Sequence, residues 1–210
     1  MRHRAPAFVL FAVLSAFPMN AAAACQPQNR FTNSTPIVIP DPKLPGARPT
    51  SGRARPYPST IDVTGVMGQV TKVTVTLHDG RHDRPEDVDI LLVGPHGEAL
   101  IVLSDVVASG FGPTESEGPH TVELTDTPGP GEAQLVRIKP TNVGAGDSFS
   151  RPAPPPPYRN PAPAGTATLA ETFGGRDPNG TWSLYVMDDG SRSTGSIAGG
   201  WTLILEAVCP

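Results

Sequence analysis

A chain of 210 residues with 26 prolines and 22 glycines carries a structure-breaking residue at nearly a quarter of its positions, which argues against a helical bundle or coiled coil. Hydrophobic residues make up 38% and charged residues 17%, too apolar a balance for a disordered chain, and the length supports one core rather than two domains. The formal net charge of −4 comes without any Lys/Arg cluster, so the electrostatic footprint of a nucleic-acid partner is missing.

Arg2 and Arg4 precede an apolar run from Ala5 to Phe17, followed by Pro18 and the small residues Ala21 to Ala24. This is the layout of a secretory signal peptide over residues 1–24, and the run is too short for a membrane span, which needs about 20 apolar residues. Its removal takes two positive charges with it, so −4 becomes −6, and the mature chain starts at Cys25. No second apolar stretch reaches membrane-spanning length, so the expected location is secreted or periplasmic. The two cysteines, Cys25 and Cys209, lie at the two ends of the mature chain. In an oxidising compartment they read as a disulfide closing the whole domain. The competing reading is a lipoprotein acylated on Cys25, although a lipid-attachment box normally carries a bulkier residue at the position of Ala22.

Two stretches are proline-dense: residues 26–58 hold eight prolines and 151–163 hold seven. Proline lacks the amide donor and fixes φ, so neither stretch suits a central strand, and both are expected to be extended and polyproline-like. The run Pro154 to Pro157 reads as a stiff surface loop between strands, or as a ligand for an aromatic groove. Elsewhere the pattern has period two. Val73, Val75 and Leu77 alternate with Thr74 and Thr76, and Trp182, Leu184 and Val186 alternate with Ser183 and Tyr185. Trp201, Leu203 and Leu205 repeat the pattern near the C-terminus. Strands are expected near 61–66, 70–77, 88–93, 99–104, 121–125, 134–138, 168–173, 181–187 and 201–208, with turns at 94–97, 128–131 and 177–180. Eight or nine short strands with no helix-period stretch imply an all-β, antiparallel two-sheet β-sandwich of Greek-key or jelly-roll wiring. Trp182 and Trp201 begin alternating strands and are expected in the core between the sheets.

The chemistry-bearing motifs are few. Gly146-Asp147-Ser148 resembles the nucleophile block of GDSL-type hydrolases, but no histidine follows His120 to complete that arrangement. No G-x-S-x-G elbow occurs, and His78, His82, His96 and His120 form no metal-binding spacing. Acidic residues are the better candidates. Asp87 and Asp89 stand two apart where a strand is expected, so their carboxylates would share a face, with Glu86 and Asp83 in the approach. Calcium takes six to eight oxygen ligands and suits such a rim. The alternative is an edge strand protected by charge, or pairing with Arg81 and Arg84. Asp188 and Asp189 form a second, weaker acidic pair.

Two blocks carry a family resemblance. Residues Glu86 to Gly97 resemble the acidic-strand-SPxGT block of the P domain, or homo B domain, of subtilisin-like proprotein convertases. Residues Phe173 to Gly190, followed by Thr194-Gly195-Ser196-Ile197 and Trp201-Thr202-Leu203, are similar to that domain's closing block. The resemblance covers roughly 57–208, leaving 25–56 as a proline-rich N-terminal segment. The chain has no Arg-Gly-Asp tripeptide, has Gly94 where serine is usual, and carries the insertion at 151–163, which brings it nearer to bacterial stand-alone relatives than to animal convertases. The resemblance implies a galactose-binding-like jelly roll, calcium at the Asp87 and Asp89 positions, and an exported, non-catalytic, proteolysis-associated module that stabilises or docks to partner proteins. Two other functions are carried beside it: a carbohydrate- or cell-surface-binding module, which needs exposed aromatics, and a proteolysis-associated serine hydrolase, through the family's association with proteolysis or through Ser148.

Overall fold

The computed structural model describes residues 28–40, 51–107, 111, 120–144 and 146–208. The signal segment 1–24, Cys25 and Cys209 lie outside them. Thirteen strands, one short α-helix and one 3-10 turn are present among the described residues.

The strands of the first sheet are β1 (Gln28–Asn33), β2 (Ile37–Ile39), β5 (Gln69–His82), β8 (His120–Leu124), β9 (Leu135–Ile138), β12 (Gly195–Ile197) and β13 (Trp201–Val208). They run in the order β1-β13-β5-β12-β2, with β8 on the other flank of β5 and β9 beyond it. The second sheet contains β3 (Gly52–Arg53), β4 (Ser59–Val63), β6 (Val88–Val93), β7 (Ala99–Ser104), β10 (Thr141–Asn142) and β11 (Gly180–Asp188). Its order is β10-β7-β6-β11-β3, with β4 also paired to β11. Alternation sets the layers: Val73, Val75 and Leu77 of β5, Leu203 and Leu205 of β13, and Leu184 and Val186 of β11 point into one buried cluster between the two sheets. Trp182 and Trp201 sit in that cluster at 1% and 0% exposure, as their strand positions predict. Each indole N–H is satisfied, Trp182 on the Pro178 carbonyl and Trp201 on the Ser59 hydroxyl.

The sandwich is mixed rather than wholly antiparallel: β10 pairs with β7, and β9 with β8, in parallel. A second correction concerns residues 168–173, expected as a strand. They form helix α1 (Leu169–Phe173). Leu169, Thr172 and Phe173 are its buried residues, a spacing of three and four that belongs to one helix face. Thr168 accepts from Glu171 N as N-cap, and the Asp126 carboxylate accepts from the N–H groups of Leu169 and Ala170. Thr168 and Glu171 are the first and last residues of a T-x-x-E capping signature, which outweighs the apparent alternation.

The N-terminal proline-rich stretch contributes edge strands to both sheets: β1 and β2 flank the first, β3 the second. β1 has a wholly polar surface except for Phe31 and is held by its ladder to β13, Gln28 opposite Glu206 through Asn33 opposite Trp201. No apolar alternation announces it.

The insertion at 151–163 does more than bridge strands. Phe149, Ala153 and Tyr158 pack with Leu91, Ile101 and Tyr185 in a second buried cluster on the outer face of the six-stranded sheet. A stretch poor in amide donors leaves its carbonyls to find donors elsewhere. Two tyrosine hydroxyls serve proline carbonyls, Tyr185 donating to Pro152 O and Tyr158 to Pro154 O, and Tyr57 donates to the neighbouring Ser150 O. Arg159, which has an amide, exchanges backbone bonds with β7 through Ile101 N and Ala99 O. Pro155, Pro156 and Pro157 remain exposed.

Candidate metal centre

Asp89 is the second residue of β6 and shares the outward parity of Leu91, whose side chain lies in the outer cluster. Its neighbour on β7 is set by a bulge. The ladder pairs Leu91 with Ile101 but Ile90 with Leu103, so one extra residue sits on β7. Val102 and Leu103 both join the inner core, and Ser104 comes out beside Asp89, donating its hydroxyl to Asp89 Oδ1 at 2.7 Å. Asp105 follows in the left-handed region, at φ 58°. A methyl at Gly144 would overlap the Asp105 carboxylate, so that close approach requires glycine. Asp147 enters from the loop after β10 and accepts from Asn142 Nδ2 at 2.9 Å.

One carboxylate oxygen from each of Asp89, Asp105 and Asp147 lies within 4.8 Å of the others. Asp89 is 3% exposed, the other two half-buried. Burial pushes the Asp89 carboxyl up to about 8, against the lowering effect of the Ser104 hydroxyl, and the negative charges of Asp189, Asp147 and Asp105 push the same way. Asp189 is raised too, by its own burial and then by Asp105, Asp87, Asp188 and Asp147. A concentration of carboxylates of this kind is a ready site for a hard cation, which is bound by oxygen donors alone. The donor set fits calcium or magnesium better than a thiophilic metal.

The other acidic residues singled out in the sequence have different employment. Asp87 lies in a 3-10 turn, Pro85–Asp87, before β6 begins, so it does not share a strand face with Asp89. Its Oδ2 accepts from the Ser193 hydroxyl, and its carbonyl from Asp189 N. Gly190 lies so close that a side chain there would overlap the Asp87 carboxylate. Asp83 accepts from both the amide and the hydroxyl of Thr194. Together these bonds tie the loop between β11 and β12 to the approach to β6. Glu86 reaches Arg84 at 3.7 Å at the surface. Asp188 points inward on β11 and faces His82, whereas Asp189 follows on the side of the acidic trio. Of the six acidic residues proposed from sequence, Asp89 alone belongs to the trio.

Asp105 and Asp147 escaped the sequence reading because they are 16 and 58 residues from Asp89 and become neighbours only through the β6–β7 and β7–β10 pairings. Asp147 lay in the Gly146-Asp147-Ser148 block, read there for its serine. Ser148 is exposed. His78 is bonded to Thr202, His96 to the Asp177 carbonyl and His82 to the Arg84 carbonyl, and His82 faces Asp188 at 3.4 Å. The large exposed apolar side chains among the described residues are Met67, Val107, Val143 and Val208, none of them aromatic. No helix among the described residues is long and apolar enough to cross a membrane.

No protein-family model matches the chain, and no curated protein matches it.

Proposed function

We propose that the chain is an exported, non-catalytic β-sandwich module, a jelly roll of the P-domain kind, that stabilises or docks to partner proteins and is itself held together by calcium. The observation that carries this reading is the convergence of Asp89, Asp105 and Asp147 at one end of the six-stranded sheet. These residues come from three separate segments. A cation bound among them cross-links β6, the exit of β7 and the loop after β10, and it relieves the repulsion between their charges. The remaining polar groups support a structural rather than a catalytic role, because Asp83 and Asp87 hold a loop and His78, His82 and His96 hold neighbours. The burial of Trp182, Trp201, Tyr158 and Tyr185 favours protein docking over a sugar-stacking platform. Export rests on the signal segment at 1–24.

Thermal unfolding with millimolar calcium and then with a chelator tests the metal reading. Calcium should raise the Tm, and Asp147→Asn should remove most of that rise. An unchanged Tm in both conditions defeats it. Labelling of Ser148 by a fluorophosphonate probe would overturn the non-catalytic assignment.

A further inference from the structure

The loop between β11 and β12, residues 189–194, is bracketed by one ionisable pair. Asp188, the last residue of β11, lies directly before it, and Gly195, directly after it, is opposite His82 in the β12–β5 ladder. A side chain at Gly195 would overlap the His82 ring, so the imidazole packs on the backbone where the loop ends. Between these points the loop hangs on the residues that follow β5. Asp83 N–H donates to Thr194 O, and its carboxylate accepts from the Thr194 amide and hydroxyl. Asp87 accepts from the Ser193 hydroxyl and, through its carbonyl, from Asp189 N. Within the loop Arg192 is left-handed at φ 75°, a conformation that a non-glycine residue keeps only where its surroundings impose it.

The pair has two states of opposite sign. His82 Nδ1 lies 2.8 Å from the Arg84 carbonyl oxygen, closer than the 3.3 Å to the Arg84 amide, and a carbonyl can only accept, so Nδ1 carries a hydrogen. The proton that His82 can lose is therefore the one on Nε2, which faces Asp188 Oδ2 at 3.4 Å. Nε2 and both Asp188 oxygens are buried without a hydrogen-bond partner. With Nε2 protonated, a cation meets a carboxylate. Once that proton is gone a ring lone pair meets the same carboxylate, and no other donor among the described residues relieves it. On its own segment His82 has Arg81, Asp83 and Arg84 as charged neighbours, with Asp87 in the 3-10 turn beyond. The adjacent strands β12 and β2 carry no ionisable side chain. From β8 comes His120, opposite Gly80, and from β3 comes Arg53, opposite Met187.

We infer that His82 and Asp188 are a proton-operated latch on residues 189–194: the imidazolium holds the loop against the approach to β6, and loss of the Nε2 proton releases it. The loop is the element that yields because it is attached to both members of the pair. Burial lowers the His82 pKa, and Asp188, the Arg84 carbonyl and Asp83 more than offset this, so the latch is closed below about 6.5 and opens as pH climbs through the folded value. The inference goes beyond the calcium reading and does not depend on it.

Hydrogen exchange on the full chain tests it, in peptides covering 189–195 from about pH 6 to about pH 9, with rates corrected for the intrinsic pH dependence of amide exchange. Opening releases one proton, so protection there should fall by up to about tenfold per pH unit between about 6.5 and the folded value, while 70–77 and 201–206 keep theirs. Asp188→Asn keeps the shape of the carboxylate, offers Nε2 a donor, and should flatten the profile at 189–195. The raised carboxyl of Asp89, which feels the charge of Asp189, titrates in the same range, so Asp89→Asn is the control and should leave the fall in place. Protection that ignores pH, a fall shared by 70–77 and 201–206, a fall that survives Asp188→Asn, or one abolished by Asp89→Asn each overturns the inference. Where Asp188→Asn fails to fold, His82→Gln decides: a neutral carboxamide in place of the ring should give a flat profile, and a persisting fall removes the latch.

Discussion

His82 and Asp188 face each other across the interior, one from each sheet, with Nε2 3.4 Å from Oδ2 and side chains 0% and 1% exposed. His82 Nδ1 is engaged with the Arg84 carbonyl at 2.8 Å, and both carboxylate oxygens of Asp188 lack a hydrogen bond. At 3.4 Å the contact is a charge pair rather than an aligned hydrogen bond. Burial by itself lowers the His82 pKa. Asp188, the Arg84 carbonyl and the charge of Asp83 more than reverse that effect, so it lies above the ordinary 6.5.

A raised histidine contributes stability that is complete below its unfolded value, about 6.5, and is lost as pH climbs through the folded one. Thermal unfolding should therefore show the Tm falling as pH rises from 6 through that folded value. Asp188→Leu strands a buried imidazolium and should cost roughly 3–5 kcal/mol near pH 6, whereas the double variant with His82→Leu should cost less than the sum of the two single changes. A flat pH profile in the parent chain, or strict additivity, would show that the pair does not carry charge.

Trp182 and Trp201 enter the same buried cluster from opposite sheets, and each is fixed by its indole N–H as well as by its area. Truncation of either to alanine should cost about 3–5 kcal/mol, measured by denaturant unfolding. Replacement by phenylalanine keeps much of the area but removes the hydrogen bond to the Pro178 carbonyl or the shorter of two to the Ser59 hydroxyl, so it should still cost about 1 kcal/mol. A loss below that figure in the alanine variants would place the rings outside the packed core.

The β1–β13 ladder pairs an N-terminal strand with the last described strand. Gln28 is opposite Glu206; Cys25 stands three residues before the one and Cys209 three after the other. Both cysteines lie outside the described residues, and the disulfide between them is the expectation from their positions in the sequence. The bond should form in exported protein, seen as an intact mass two hydrogens lighter than after reduction. Reduction should then cost roughly 5 kcal/mol on the loop-entropy model for so long a loop. An acyl chain on Cys25, or two alkylatable thiols, would contradict it.

Strand positions were legible wherever burial alternates along the chain. The runs 88–93, 99–104 and 201–208 match β6, β7 and β13 residue for residue, and Trp182 and Trp201 fall inside as their parity demands. Such a pattern records which side of a strand is buried, and that is a local property. Strands without apolar alternation, such as β1, whose only apolar residue is Phe31, left no comparable trace, and α1 was concealed because five residues are too few for its period to stand out from alternation. The acidic centre divides the same way. Asp89 was visible as one of a dense acidic run, but the choice of Asp105 and Asp147 over Asp87 as its companions depends on a bulge in β7 and on a parallel pairing with β10. Those features arise from how strands far apart in sequence are brought together, and only the folded chain contains that information.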